Sequence, residues 1–279
     1  MSPPELIGDL APRLWIRDRL RAALYRFGCG LRSTQEAYEK CSVALGATDA
    51  SVKSLNELGA KDVRLVPQSG CGDDEVATFI EGNPAPEEAP KGTIRLLSAS
   101  RLVHWKGVDL SIDAVARAVE KGVDVELLIL QEGPESRALV RQSKKRGLEE
   151  RVRFLGKLPS LENVYELMRN SDALIHPAMN EVFGQSVLES LALGRQVICL
   201  DWAGPGMIVT GDCGIKIKPG NRKEIVEGLS DAIVSLKDRR ESWNAIQNAS
   251  IERAGVYTWR RVAEALDQAY KDSFARAEE

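Results

Sequence analysis

The chain has 279 residues, enough for one large domain or two small ones. With 38 basic residues against 41 acidic ones and an apolar fraction of 43%, it is neither a disordered polyanion nor a basic nucleic-acid binder. Five scattered cysteines without a Cys-x-x-Cys pair, and only two histidines, disfavour a structural zinc site and fit reduced thiols in the cytoplasm.

The N-terminus lacks the basic start and apolar centre of a signal peptide, and no apolar run approaches the roughly 20 residues of a membrane span. A helix is predicted over about 13–31. Its apolar face of Ile16, Leu20, Leu24 and Phe27 is flanked by Arg13, Arg17, Arg19, Arg21 and Arg26. Such a helix can lie on an anionic membrane or turn its apolar face to a core. Short strands follow at 42–45 and 63–66. Gly70-Cys71-Gly72 lacks the third glycine of a dinucleotide fingerprint. Asp73-Asp74 lies in a Gly-rich loop without the strand context of a metal-binding acid pair. Residues 82–92, with three prolines and two glycines, read as a linker.

Beyond the linker, strands alternate with helices. Strands are predicted at 94–99, 125–130, 152–155, 173–176 and 197–200. Helices are predicted at 108–121, 136–146 and 161–168, the last capped by Ser160. The strands are short and apolar without clean alternation, as in a parallel sheet covered on both faces. The fold class is therefore α/β, a doubly wound parallel sheet. Ligands of such sheets sit at the carboxyl ends of strands, so Arg101, Glu132, His176 and Glu181 share one rim. Trp259, Val262, Leu266, Tyr270 and Phe274 mark a long final helix.

Two stretches carry the chemistry. In the first, Glu181 and Glu189 stand eight apart around Phe183-Gly184-Gln185-Ser186, where a helix begins. The first N–H groups of a helix have no intrahelical partner and favour a phosphate, and Gly184 lets a ligand approach closely. A carboxylate on each side of a phosphate cradle suits a ligand with central phosphates and terminal hydroxyls, such as a nucleotide sugar. The second stretch is Ser100-Arg101-Leu102-Val103-His104-Trp105-Lys106-Gly107-Val108-Asp109. It places two cations between a strand and a helix start, where a diphosphate can be held. His104 and His176 titrate in a range useful for catalysis, but both read as structural.

Both stretches resemble motifs of the retaining glycosyltransferases of family 4, the glycosyl transferases group 1, which have the GT-B fold. The resemblance runs over about 61–274. It implies that Arg101 and Lys106 hold the donor diphosphate, that Glu181 meets the donor sugar hydroxyls and that Glu189 meets the ribose. It also implies that the backbone of Phe183, Gly184, Gln185 and Ser186 lines the sugar and phosphate, and that Leu158 lies where the base is read. Glu181, Arg101 and Lys106 are the catalytic candidates. Gln131-Glu132-Gly133-Pro134 is either a plain turn or the family's Gly-x-Gly loop with Gln131 in place of the first glycine. Val182 and Gln185 also depart from the usual glycine and aliphatic residue.

A GT-B enzyme has two Rossmann-like domains, whereas only about 80 residues precede the linker here, too few for a full acceptor domain. The expected division is a shortened acceptor-side segment over 1–81, the linker, a donor domain over 93–256 and a helix crossing back over 257–279. The implied activity is transfer of a sugar from a nucleoside diphosphate sugar, UDP- or GDP-linked, to a glycan or lipid-linked acceptor. No further cofactor and no metal is implied. The expected setting is cytoplasmic, with contact to the inner membrane face through the basic helix and a partner chain supplying the acceptor domain. The alternatives are a non-catalytic nucleotide-sugar-binding subunit and an epimerase or hydrolase on the same fold.

Overall fold

The computed structural model describes residues 12–72, 81 and 92–277. In chain order the elements are α1 (Pro12–Gly30), α2 (Arg32–Lys40), β1 (Ala44–Gly46), α3 (Asp49–Glu57), β2 (Val63–Leu65), β3 (Ile94–Ala99), α4 (Val108–Glu120), β4 (Val125–Leu130) and α5 (Ser136–Lys145). They continue with β5 (Val152–Gly156), α6 (Leu161–Arg169), β6 (Ala173–His176), α7 (Gln185–Ala192), β7 (Gln196–Leu200), α8 (Ala203–Ile208), β8 (Gly214–Ile217), α9 (Arg222–Arg239), α10 (Trp243–Ala254) and α11 (Trp259–Ala277). A 3-10 turn, His104–Lys106, joins β3 to α4.

Six strands form one parallel sheet in the order β5-β4-β3-β6-β7-β8. Successive residues on one strand point to opposite faces, and both faces are covered. Leu96 packs with α4 and α9 on one side, while its neighbour Leu97 packs with α6 and α7 on the other, and both have 0% exposure. This double burial is why the strands show no polar–apolar alternation. The predicted strands appear with boundaries shifted by a residue at most in this sheet. β8, α9 and α10 extend the unit beyond the elements read from the sequence. The α9 start is fixed by a capping box, in which Asn221 and Glu224 each accept from the other's backbone N–H. Ser160 caps α6 as expected, accepting from the Asn163 N–H at 3.3 Å.

The N-terminal part is much smaller. β1 and β2 form a two-stranded parallel sheet joined by α3, which Thr48 caps. Strand β1 starts at Ala44, two residues later than the sequence pattern indicates. Helix α11 reaches this unit, with Arg64 donating to Asp272 at 2.5 Å and Arg276 pairing with Asp62 at 2.9 Å. The chain also crosses itself here. The Cys71 N–H donates to the Tyr257 carbonyl at 2.8 Å, and the Trp259 N–H donates to the Cys71 carbonyl at 3.3 Å. Gly70 permits the crossing, because a Cβ there would lie 2.5 Å from the Trp259 nitrogen. The linker at 82–92 lies outside the described residues except for Gly92, as does Asp73-Asp74.

Helix α1 forms where expected. Of the two orientations open to it, the apolar residues face outward. Ile16, Leu20, Leu24 and Phe27 are exposed, Phe27 by 70%. Among the described residues no helix is long and apolar enough to cross a membrane. All five cysteines are free thiols.

Candidate functional site

The strand order reverses between β3 and β6. This is the point at which a doubly wound sheet opens a crevice at its carboxyl edge. The loop after β3 carries Arg101 to Gly107, and the loop after β6 carries Pro177 to Gly184. Neighbouring strands therefore bring together residues 75 positions apart in sequence. The loops are pinned by the backbone, with the Met179 N–H donating to the Trp105 carbonyl at 2.8 Å. Gly107 makes the fit possible. Its φ is +67°, and a Cβ would lie 2.3 Å from the Pro177 carbonyl oxygen.

Within this crevice Lys106 Nζ donates to Glu181 Oε2. His176 Nε2 lies 3.3 Å from the same oxygen. The two partners share Oε2, and Oε1 has no partner among the described residues. Lys106 and Glu181 are largely buried, and His176 is only 2% exposed. Burial alone pushes the Glu181 carboxyl up. The His176 and Lys106 hydrogen bonds, with their charges, more than reverse this and hold it at about 2, so Glu181 is a carboxylate at neutral pH.

Arg101 is on the same rim but stands apart, with an exposed side chain and no ion pair among the described residues. Phe183 is buried, stacked edge-on against Tyr257 at 5.5 Å, so its side chain anchors the loop. Gly184 has φ +101° and precedes α7. Intrahelical bonds begin with the Val187 N–H donating to the Gly184 carbonyl, which leaves the Gln185 and Ser186 N–H groups ahead of the first bonded turn. Gln185 links three features. Its Oε1 accepts from the Ser69 hydroxyl, and its Nε2 donates to Glu189 Oε1 at 3.3 Å and to the Gly70 carbonyl at 3.4 Å. Glu189 thus lies one turn into α7, beside the segment arriving from the N-terminal unit. Leu158 packs against the core on the α6–α7 side.

The stretch after β4 adopts a specific geometry rather than a generic turn. Gln131 holds φ +70°, the left-handed conformation that favours glycine. Gly133 approaches so closely that a Cβ would lie 2.3 Å from the Leu102 carbonyl oxygen. With Phe154 and Gly156 these residues line an open cleft of about 680 Å³ at the carboxyl edge of the sheet.

The structure thus joins Lys106 with Glu181, and Gln185 with Glu189. It adds two groups that sequence reasoning does not identify as site residues. His176, expected to be structural, touches Glu181, and the signal for it is its position at the end of a strand on the ligand rim. Ser69 has no sequence signal at all, because only the fold brings it to Gln185. Among the described residues no group of three or more His, Cys, Asp or Glu could hold a metal.

Residues 79–250 match the family of glycosyl transferases group 1. The chain is 32% identical over 173 residues to a GDP-mannose-dependent alpha-(1-6)-phosphatidylinositol dimannoside mannosyltransferase of Mycobacterium tuberculosis, covering 62% of this chain and 42% of that protein. It is 26% identical over 187 residues to the phosphatidylinositol N-acetylglucosaminyltransferase gpi3 subunit of Schizosaccharomyces pombe, covering 67% of this chain and 40% of that one. It therefore spans about two fifths of the length of these relatives. In fold it resembles the pneumococcal O-GlcNAc transferase GtfA, solved with UDP and GlcNAc, with a TM-score of 0.67 at 17% identity over 87% of this chain and 47% of that one.

Proposed function

The chain belongs to the glycosyl transferases group 1, with the GT-B-type α/β fold, and on that premise we propose that it is the donor-binding part of a retaining sugar transferase. The observation that carries the proposal is the Lys106–Glu181 pair at the strand-order reversal, with Glu181 in the loop that leads into the unbonded start of α7. The substrate is a nucleoside diphosphate sugar. Arg101, Lys106 and the Gln185 and Ser186 N–H groups hold the diphosphate, Glu181 accepts from sugar hydroxyls, and Glu189 accepts from the ribose. The base lies toward Leu158 and the cleft behind Gln131 and Gly133.

The chemistry follows from charge. As the bond from the anomeric carbon to the diphosphate lengthens, negative charge grows on the leaving oxygens and positive charge on the sugar. Fixed cations and N–H dipoles stabilise the former without reorganising. Glu181, held ionised by its partners, lies where it can stabilise the latter. The cations Arg101 and Lys106 take the place of a divalent metal. An acceptor hydroxyl attacks from the leaving-group face, and the acceptor is a glycan or lipid-linked sugar. The donor domain spans 93–256. The acceptor side is completed by a further domain or a partner chain, a reading favoured by the relative that is itself named as a subunit. The basic α1, with its outward apolar stripe, serves as contact for an anionic membrane.

Calorimetric titration with GDP, UDP and their hexose conjugates tests the reading. Arg101→Ala and Lys106→Ala should each weaken binding by about 1.5–3 kcal/mol, the value of a charged hydrogen bond. Unchanged affinity in both variants overturns the site. Adding a chelator should change nothing, and a loss restored by magnesium or manganese overturns the metal-independent part.

A further inference from the structure

Lys106 cannot hold Glu181 and a diphosphate equally well. In the structure it donates to Glu181 Oε2. When a diphosphate arrives, a compact ammonium with rotatable donors turns toward the larger negative charge. Glu181 then loses one of its two partners while remaining largely buried, and a buried carboxylate left without a partner is costly.

One group remains on that oxygen. His176 Nε2 is 3.3 Å from Oε2, and the ring is fixed at the end of β6 with 2% exposure. Its backbone belongs to the sheet ladder, paired with Cys199 of β7. It cannot follow a ligand as Lys106 can. In its neutral form the ring makes this hydrogen bond only as the Nε2–H tautomer. Both protein partners use Oε2, so Oε1 is the acceptor left for a ligand.

We propose that His176 is a positioning residue: its Nε2–H retains Oε2 of Glu181 while Lys106 transfers to the diphosphate, so that Oε1 stays aimed at a donor-sugar hydroxyl. This rests on the donor-site reading above and adds a division of labour within it. Lys106 answers to the nucleotide diphosphate, and His176 answers to the sugar.

The split is measurable. The probes are GDP against GDP-mannose and UDP against UDP-glucose, titrated into the wild-type chain, His176→Leu and His176→Gln. Glutamine places an N–H donor near the position of Nε2, and leucine does not. For the pair that binds, His176→Leu should lose about 10- to 100-fold in affinity for the nucleotide sugar while affinity for the free diphosphate changes less than about twofold. His176→Gln should recover most of the loss. An equal loss for both probes, or none for either, overturns the inference and leaves the donor site standing. If no nucleotide binds the wild-type chain, the donor-site reading falls and this inference with it. Should the variants not fold, imidazole ¹⁵N signals of the intact chain decide, with only two histidines to assign. The Nε2–H tautomer of His176 should persist on adding the nucleotide sugar, and its loss refutes the retained contact.

Discussion

The six-stranded unit and the β1–β2 unit are built from the same kinds of element, yet they differ in how well each is closed. In the first, β3, β4, β6 and β7 each contain residues with no measurable exposure, and exposed positions such as Arg153 and Lys216 fall on the edge strands β5 and β8. In the second, two three-residue strands stand alone, Leu65 is 45% exposed, and the apolar stripe of α1 faces outward. A two-stranded sheet is marginal in water. The contrast shows where stability resides. The six-stranded unit carries its own core, and the N-terminal unit is held by α11 and by the crossing at Cys71.

The sharpest way to break that comparison is to remove one apolar side chain from each region. Leu96→Ala should cost about 2–5 kcal/mol, since both sheet faces pack around β3. Leu24→Ala should cost on the order of 0.5 kcal/mol or less, because that side chain is already 62% exposed. Urea denaturation of both variants reads the difference, and equal losses would show that the outward stripe of α1 is a buried interface in solution.

Next in size is acid sensitivity at the crevice. The folded carboxyl of Glu181 is held at about 2, below its ordinary 4.5. The folded chain therefore binds fewer protons than the unfolded one between these values. The stabilisation is fully present above 4.5 and is lost as pH falls through about 2, on the order of 3 kcal/mol for the full shift. Glu181→Gln should flatten this part of a stability–pH curve. An unchanged slope would mean that Lys106 and His176 do not grip the carboxylate in solution.

The smallest effect lies in the other region. Arg64→Ala removes a local link to Asp62 and the link to Asp272 that helps hold α11 to the N-terminal unit. Near-UV dichroism of Trp259, at the start of α11, should change slightly at low salt. It should change less at high salt, because exposed ion pairs are screened. A large, salt-independent change would place more of the α11 docking in these charges than their exposure allows.

How much of this is legible in the sequence differs between elements for physical reasons. Leu96 and Leu97 announce a strand buried on both faces because an apolar run of that length bounded by polar residues has few other uses. Ser160 announces a helix start because its hydroxyl has a local task. Asn221 and Glu224 carry an equally local signal for α9, a helix absent from the elements predicted above. The position of Glu181 and Lys106 on one rim is readable from the rule about strand ends. Their direct pairing is not, because it depends on β3 and β6 being neighbours while β4 and β5 lie between them in sequence. The same holds for Ser69 and Gln185. His176 is half legible: its strand end places it on the ligand rim, but its contact with Glu181 exists only once the loop after β6 folds back. Conversely, Gln131 holds a left-handed φ that ordinarily favours glycine, a backbone shape that its side chain does not announce.

The self-crossing at Cys71 and Thr258 has a mechanical consequence. The N-terminal unit hangs from the larger one at two neighbouring points of the chain, joined to each other by backbone hydrogen bonds. A body hung from one strand can swing and spin in any direction. A body hung from two strands zipped together behaves like a door on a short hinge: torsion around the zipped pair is soft, and sideways travel is stiff. Gly70 makes that hinge thin, since any side chain there would prise the two strands apart. Substitution of Gly70 would therefore loosen the junction between the two units before it altered the pairing of Lys106 with Glu181.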